Sequence, residues 1–297
     1  MIGFNNILIY GLGLMGGSLS LAIKKTGLKI KTTGVLRSQK SYDEIINKNL
    51  TDYLLIEEDF LRNNRWNEYD LIIFSLPVDL TCDKINLIPE DYQGFITDLG
   101  STKSEIIKAV KNKFKSKHNY YSSHPMTGSE LSGALHSKED LYFGKLCILT
   151  REDNTSEESV SKIEDLWKYI GSSTIEIPAQ DHDEILSYLS HAPHILSSLL
   201  VNWANNSDIV KKYTNISPLP LSGGGFRDMS RIAGSNPEMW EAIISTNKEA
   251  ILTCLLAYKN QLTDLIEILK QEPPHQKGIW KKYFESSKNS RNQILKI

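Results

Sequence analysis

No run of about eighteen apolar residues, the length a helix needs to cross a bilayer, occurs anywhere in this 297-residue sequence. A helical membrane span is therefore not expected. Cysteine is scarce: Cys82, Cys147 and Cys254 are the only three, too few and too far apart for a disulfide framework or a C-x-x-C metal knuckle. Neither sign of charge dominates, since 34 Lys and Arg against 36 Asp and Glu leave a formal net charge of −2, which argues against a general nucleic-acid binder. Internal repeats and low-complexity tracts are missing, and the first residues lack the basic, apolar and small-residue succession of a signal peptide. What these absences leave is a folded cytoplasmic protein with reduced thiols. At 40% apolar and 24% charged residues it has the composition of an ordinary globular chain, long enough for two domains.

The most informative stretch that is present lies at the start. Residues 7–10 form a short apolar run that enters Gly11-Leu12-Gly13-Leu14-Met15-Gly16, and a helix-like segment follows over residues 19–25. In a strand–turn–helix of this kind the first glycine permits a tight turn, the second lets backbone approach a pyrophosphate, and the third allows close helix–strand packing. The helix N-terminus then offers amides and a dipole to the phosphates. A dinucleotide site is predicted at Gly11, Gly13, Leu14, Met15 and Gly16. An Asp or Glu about twenty residues further on would accept hydrogen bonds from the adenosine ribose of NAD. Leu36 stands there instead, followed by Arg37, Ser38 and Lys40, which bring cationic and hydroxyl donors to the place of a 2′-phosphate. NADP is therefore predicted over NAD, with Arg37 and Ser38 as contacts.

The first half alternates short apolar runs, at 30–36, 71–74, 94–98 and 146–150, with amphipathic stretches such as 104–114. That is the βαβ rhythm of a parallel sheet. Residues 75–78, after the 71–74 run, should therefore lie near the cofactor. From Pro178 onward the pattern becomes helical, notably over 184–205 and 237–270. The predicted fold class is an α/β Rossmann-like dinucleotide-binding domain, residues 1–177, followed by an all-α domain, residues 178–297. In the last long helix Asn236 can cap and Pro237 suits the first helical position. Ile251, Leu255, Tyr258, Leu262, Leu265 and Leu269 recur at spacings of four and three, a stripe that either packs within its own subunit or forms a dimer seam. Trp280, Tyr283 and Phe284 suit one more helix.

Four segments carry candidate chemistry. In Asp98-Leu99-Gly100-Ser101-Thr102-Lys103, Thr102 and Glu105 match a T-x-x-E capping box that would leave the Ser101 hydroxyl facing the crevice, unless Ser101 is itself the cap. In the loop predicted after an apparent strand at 120–122, His124 is the best general-base candidate, because imidazole titrates near neutrality and Pro125 restricts the adjoining backbone. In Gly223-Gly224-Gly225-Phe226-Arg227-Asp228-Met229-Ser230-Arg231, the two arginines are four apart and share a helical face. They suit a bidentate grip on carboxylate, or else a surface ion pair with Asp228 or Glu238. Finally, His191-Ala192-Pro193-His194, with Asp181-His182-Asp183 upstream, is not H-E-x-x-H, and Pro193 interrupts the helical register, so no metal is predicted. Packing at the domain junction or lining of a cleft is expected there.

Taken together, and in this order and spacing over almost the whole chain, these segments resemble the prephenate/arogenate dehydrogenase family of tyrosine biosynthesis. The resemblance implies a Rossmann-like domain followed by a helical dimerisation domain, hence a homodimer. It also implies NAD(P)-dependent oxidative decarboxylation of prephenate to 4-hydroxyphenylpyruvate, or of arogenate directly to tyrosine. By the same resemblance His124 deprotonates the ring hydroxyl while hydride leaves the same carbon, and Ser101 orients that histidine and the hydroxyl. Arg231 then anchors a substrate carboxylate, Ser129 and Glu130 belong to a loop lining and gating the pocket, and His194 is a cleft histidine. Two other readings stand beside it. One is a dehydrogenase of similar layout acting on a β-hydroxyacid or a pyrroline carboxylate, for which Lys248 is the only weak candidate on the long helix. The other is a catalytically idle NADP-binding sensor.

Overall fold

Five parallel strands build the first sheet of the computed structural model, which describes residues 3–128, 131, 133–271 and 278–297. They are β1 (Asn6–Tyr10), β2 (Lys31–Leu36), β3 (Tyr53–Ile56), β4 (Leu71–Phe74) and β5 (Phe95–Asp98), arranged β3-β2-β1-β4-β5. The central β1 and β4 read as near-unbroken apolar runs because helices cover both sheet faces. Successive side chains point to opposite faces. Ile7, Ile9, Leu71 and Ile73 join the core that holds Leu19 and Trp167, while Leu8, Tyr10, Ile72 and Phe74 join Phe60, Trp66 and Ile85 on the other side. The connections run through α1 (Leu14–Lys25), α2 (Gln39–Ile45), α3 (Glu57–Arg62), α4 (Val78–Leu87) and α5 (Ser104–Lys113). The strand order reverses between β1 and β4, which opens a crevice at their carboxyl ends.

The chain then extends the sheet. Ile96 of β5 exchanges backbone hydrogen bonds with Asn119 and Tyr121, and this segment leads into β6 (Ser122–Pro125). β6 pairs antiparallel with β7 (Leu146–Thr150), which pairs parallel with β8 (Ser173–Glu176), and α6 (Glu157–Tyr169) lies between those two in sequence. The strand expected at 120–122 thus sits further along. His124 lies on β6, paired with Ile148, and not in a loop after it; its backbone is fixed by the ladder.

Beyond Pro178 every regular element among the described residues is helical: α7 (Ala179–Leu186), a π-helical turn (Ser187–His191), α8 (Ala192–Asn205), α9 (Asp208–Ile216), α10 (Gly224–Ser230), α11 (Pro237–Thr246), α12 (Lys248–Leu269) and α13 (Ile279–Leu295). Two expected helices are interrupted. The wide turn within 184–205 falls just before Pro193, which brings no N–H to the helix. The 237–270 segment breaks at Asn247 (φ −127°, ψ 31°), whose buried side chain is bonded elsewhere. Asn236 caps α11 as expected, accepting from the Met239 N–H, with Pro237 as the first helical residue. Compact units span Met1–Ile251 and Leu252–Ile297. On α12, Tyr258 and Leu262 of the predicted stripe remain exposed in the single chain. Among the described residues no helix is long and apolar enough to cross a membrane.

Candidate active site

The glycine turn after β1 borders a groove of about 630 Å³ lined by Gly11, Leu12, Gly13, Leu36, Arg37, Ser75, Leu76 and Lys84, among others. Gly11 has φ +99°, and a Cβ there would stand 2.5 Å from the Ser75 carbonyl oxygen; one at Gly16 would stand 2.2 Å from that of Gly11. A Cβ at Gly13 would meet nothing within 4 Å. The turn is closed against the protein at its first and third glycines and open to the groove at its second, which is the shape a pyrophosphate needs. Leu14 and Met15 begin α1, where first-turn amides lack helical acceptors, and no side chain caps them. The dinucleotide's diphosphate fits these residues.

At the groove's far side Arg37 is exposed. The Ser38 hydroxyl caps α2 by accepting from the Ser41 N–H, and Ser41 itself lines the groove. One acidic residue that the sequence pattern does not reveal is present: Glu57, at the head of α3. It accepts from Tyr10 Oη and from Lys84 Nζ, each at 2.6 Å. Burial alone would raise its carboxyl, but those hydrogen bonds and the charges of Lys84 and Arg37 outweigh it and hold the carboxyl below its usual range.

A second cluster surrounds β6. Lys103 is fully buried, and its ammonium donates to Asp98 Oδ1 (2.6 Å), to Ser122 Oγ (3.0 Å) and to the Ser123 carbonyl (2.8 Å). Asp98 also accepts from the Gly100 N–H and from Tyr120 Oη. A buried ion pair persists only when both partners are satisfied in this way. Ser123 Oγ is further bonded to Thr97 and Trp167. His124 therefore stands on a strand pinned from both sides, next to the carboxyl end of β5.

From His124 a chain of close contacts runs into α7. His124 Nδ1 lies 2.8 Å from His182 Nε2, and His182 Nδ1 lies 2.8 Å from Asp183 Oδ1. Asp183 accepts the backbone N–H groups of Lys103 and Ser104, each at 2.8 Å, and so caps α5 from another element. This overturns both local expectations for that helix. Thr102 is bonded to Thr246 Oγ1 instead, and Ser101 is not the cap. A carboxylate at a helix N-terminus, facing two free amides and the dipole, displaces a local hydroxyl. Burial would raise the Asp183 carboxyl, but hydrogen bonds from His182, Ser104 and Lys103 hold it below the usual range. Burial lowers His182, only partly offset by Asp183. Burial, followed by the charges of His182, Lys103 and His191, holds His124 well below an ordinary imidazole. Both imidazoles are neutral at pH 7.

Asn247, at the break between α11 and α12, donates from Nδ2 to the Asp183 carbonyl (2.8 Å) and to His191 Nδ1 (3.0 Å). Burial lowers His191 to about 4. His194 Nδ1 donates to the Ser190 carbonyl at 2.8 Å, and its ring stacks on Trp240 at 4.0 Å. Burial, with a smaller contribution from the Arg231 charge, outweighs the Ser190 hydrogen bond and lowers His194 as well. Arg227 and Arg231 are exposed, and neither forms an ion pair with Asp228, Glu238 or any other described residue. Of the triple glycine, Gly223 is the N-cap of α10 and the other two begin the helix. Ser101 is half-buried, two residues before Lys103, and makes no side-chain hydrogen bond to another described residue. Ser129 and Glu130 lie outside the described residues.

Residues 19–176 match the family model "Prephenate dehydrogenase, nucleotide-binding domain" and residues 178–277 match "Prephenate dehydrogenase, dimerization domain". The chain belongs to the prephenate dehydrogenase family. Within that family of oxidoreductases it is 29% identical to the prephenate dehydrogenase of Bacillus subtilis over 98% of this chain and 76% of that protein. It is 31% identical to that of Lactococcus lactis over 90% and 72%. A cyclohexadienyl dehydrogenase of Zymomonas mobilis is 29% identical over 86% and 85%. Among solved structures, prephenate dehydrogenase from Aquifex aeolicus in complex with hydroxyphenyl propionate and NAD+ superposes with a TM-score of 0.84 at 26% identity, covering 98% of each chain. Synechocystis arogenate dehydrogenase shares the fold, with a TM-score of 0.79 at 23% identity over 97% and 99%.

Proposed function

We propose that this protein is a prephenate dehydrogenase that converts prephenate to 4-hydroxyphenylpyruvate and carbon dioxide. The observation that carries the reading is His124: a neutral imidazole on a rigid strand, anchored through Nδ1, with no described residue bonded to its Nε2. Such a group can take the proton of a ring hydroxyl as hydride leaves the same carbon. The nicotinamide dinucleotide, when bound in the glycine-turn groove, supplies the hydride acceptor. Loss of the ring carboxylate then leaves a phenolate, to which His124 returns the proton, so the step needs no further acid.

Ser101, with an uncommitted hydroxyl, orients the ring hydroxyl and His124. Arg231 anchors a substrate carboxylate by a bidentate grip, and His194 lines the same cleft. Ser129 and Glu130 are assigned to the pocket loop on the resemblance alone. The Aquifex relative, with an aromatic propionate and NAD+ bound, supports both halves of the reading. We assign the cofactor as NADP, contacted by Gly11, Gly13, Leu14, Met15, Gly16, Arg37 and Ser38. Leu36 presents no carboxylate, Arg37 forms no ion pair with a described residue, and Glu57 is paired with Lys84. Residues 1–177 form the dinucleotide-binding domain of this proposal. Residues 178–297 form a substrate-binding and dimerisation domain, whose exposed Tyr258 and Leu262 belong to the homodimer seam of a cytoplasmic enzyme.

Reduction of NADP and of NAD by purified protein, with prephenate and with arogenate in turn, tests this. Turnover is expected with prephenate, faster with NADP. Turnover with arogenate alone would change the substrate, and a strong preference for NAD would remove the role given to Arg37. Silence in all four arms from folded, dinucleotide-binding protein would overturn the proposal.

A further inference from the structure

His124 is held by more than packing, and the order of its contacts fixes where its proton sits. We propose that His182 is a tautomer-setting positioning residue: anchored by Asp183, it keeps the proton of His124 on Nδ1 and so leaves Nε2 as a lone pair facing the cleft. This rests on the reading of His124 as the base.

An ionised carboxylate only accepts, and Asp183 is held ionised by the N–H groups of Lys103 and Ser104. The contact between its Oδ1 and His182 Nδ1 at 2.8 Å therefore requires a proton on that nitrogen. A neutral imidazole protonated on Nδ1 has only a lone pair on Nε2. The 2.8 Å contact with His124 Nδ1 then requires the proton on His124, and its Nε2 carries none. The opposite tautomer would set two lone pairs against each other inside the protein.

The described groups around His124 leave no competing donor for its Nδ1. Lys103, from the head of α5, directs its ammonium to Asp98, Ser122 Oγ and the Ser123 carbonyl. Asp98, from β5, is occupied by Lys103, Gly100, Tyr120 and Ser122. Cys147, from β7, is a buried thiol raised by burial. His191, from the π-helical turn, accepts on Nδ1 from Asn247, and the same amide bonds the Asp183 carbonyl. Asn247 thereby ties the element carrying His182 and Asp183 to the helix break.

The test is the imidazole ¹⁵N spectrum of His124 at neutral pH, read beside steady-state kinetics of His182→Leu and His182→Gln. The wild-type spectrum is expected to show a protonated Nδ1 and an unprotonated Nε2. His182→Leu, which removes the acceptor, should shift His124 toward the Nε2-protonated form and lower kcat at least about tenfold, since the wrong nitrogen then carries the proton. KM should change far less. His182→Gln, whose amide oxygen can accept the same N–H, should restore the tautomer and most of kcat. An Nε2-protonated His124 in the wild type would overturn the proposal, as would a fall of kcat in His182→Leu without a change of tautomer, or no fall at all. If His182→Leu fails to fold, the wild-type spectrum and the glutamine variant decide. Absence of turnover from the wild type would refute the proposed reaction while leaving the tautomer readable.

Discussion

Two buried histidine–carboxylate pairs lie among the described residues, and they are built differently. In the first, His118 Nε2 meets Glu152 Oε2 at 3.0 Å, while Nδ1 accepts the Tyr120 N–H. Both ring nitrogens are occupied. In the second, His182 meets Asp183, but its other nitrogen passes the interaction to His124, whose Nε2 has no partner among the described residues. Burial lowers His118 as it lowers His182 and His124. A shifted histidine beside a carboxylate therefore does not by itself mark chemistry. What distinguishes the second pair is a chain of hydrogen bonds that ends in an uncommitted nitrogen.

Substitutions separate the two pairs, and the pin beside them, by size of effect. The largest effect on stability is expected from Lys103→Met, which strands Asp98 as a buried unpaired charge. It should cost about 3–5 kcal/mol in denaturant unfolding, and unchanged stability would remove Lys103 as the pin of β6. Next come the two carboxylates in parallel. Glu152→Ala should cost about 1–3 kcal/mol of stability and leave kcat within a factor of about two. Asp183→Ala, which also uncaps α5, should cost a similar amount and in addition lower kcat by at least about tenfold. Equal kinetic effects from both would erase the distinction between the pairs. Arg231→Ala, at an exposed position, should raise KM by roughly tenfold or more, the scale of a lost charged hydrogen bond. Its melting temperature should stay unchanged, and an unaltered KM would free Arg231 from the substrate.

The pH dependence of stability separates no single pair, but its sign follows from the histidines. His118, His124, His182, His191 and His194 are all lowered in the folded protein, so below about pH 6.5 the unfolded chain binds more protons. The histidine contribution to stability is fully present above that pH. It should be lost as pH falls from 6.5 toward about 4, the value of His191, by up to about 1.4 kcal/mol per pH unit for each histidine concerned. A flat stability profile over that range would contradict the buried neutral state.

Much of the scaffold was legible in residue order because it obeys local rules. The glycine turn, the apolar runs of β4 and β7, and the Asn236-Pro237 start of α11 carry their signals within a few residues. β3 escaped because its side chains are only partly buried or exposed, with no alternation to betray it. The site itself was half legible. His124, Ser101 and Arg231 stand in unusual segments, whereas Lys103 was read only as the end of a turn. His182 and Asp183 stood beside a metal question, and nothing local shows that they lie against residues 58 and 80 positions away. A histidine flanked by two carboxylates where strands give way to helices was the available sign. Asn247 is hidden for a similar reason. Residues 245–249 are polar but include neither Gly nor Pro, so nothing in their order stops a helix, and the buried amide contacts of Asn247 that accompany the break join it to distant residues.

The most direct test of the account is the turnover of His124→Asn beside its affinity for substrate. The asparagine should keep equilibrium binding of prephenate while kcat falls by about 10²–10⁴, the contribution of a positioned general base. An undiminished kcat in that variant would show that the proton leaves by another route and that the chain ending at His124 serves only to hold the fold.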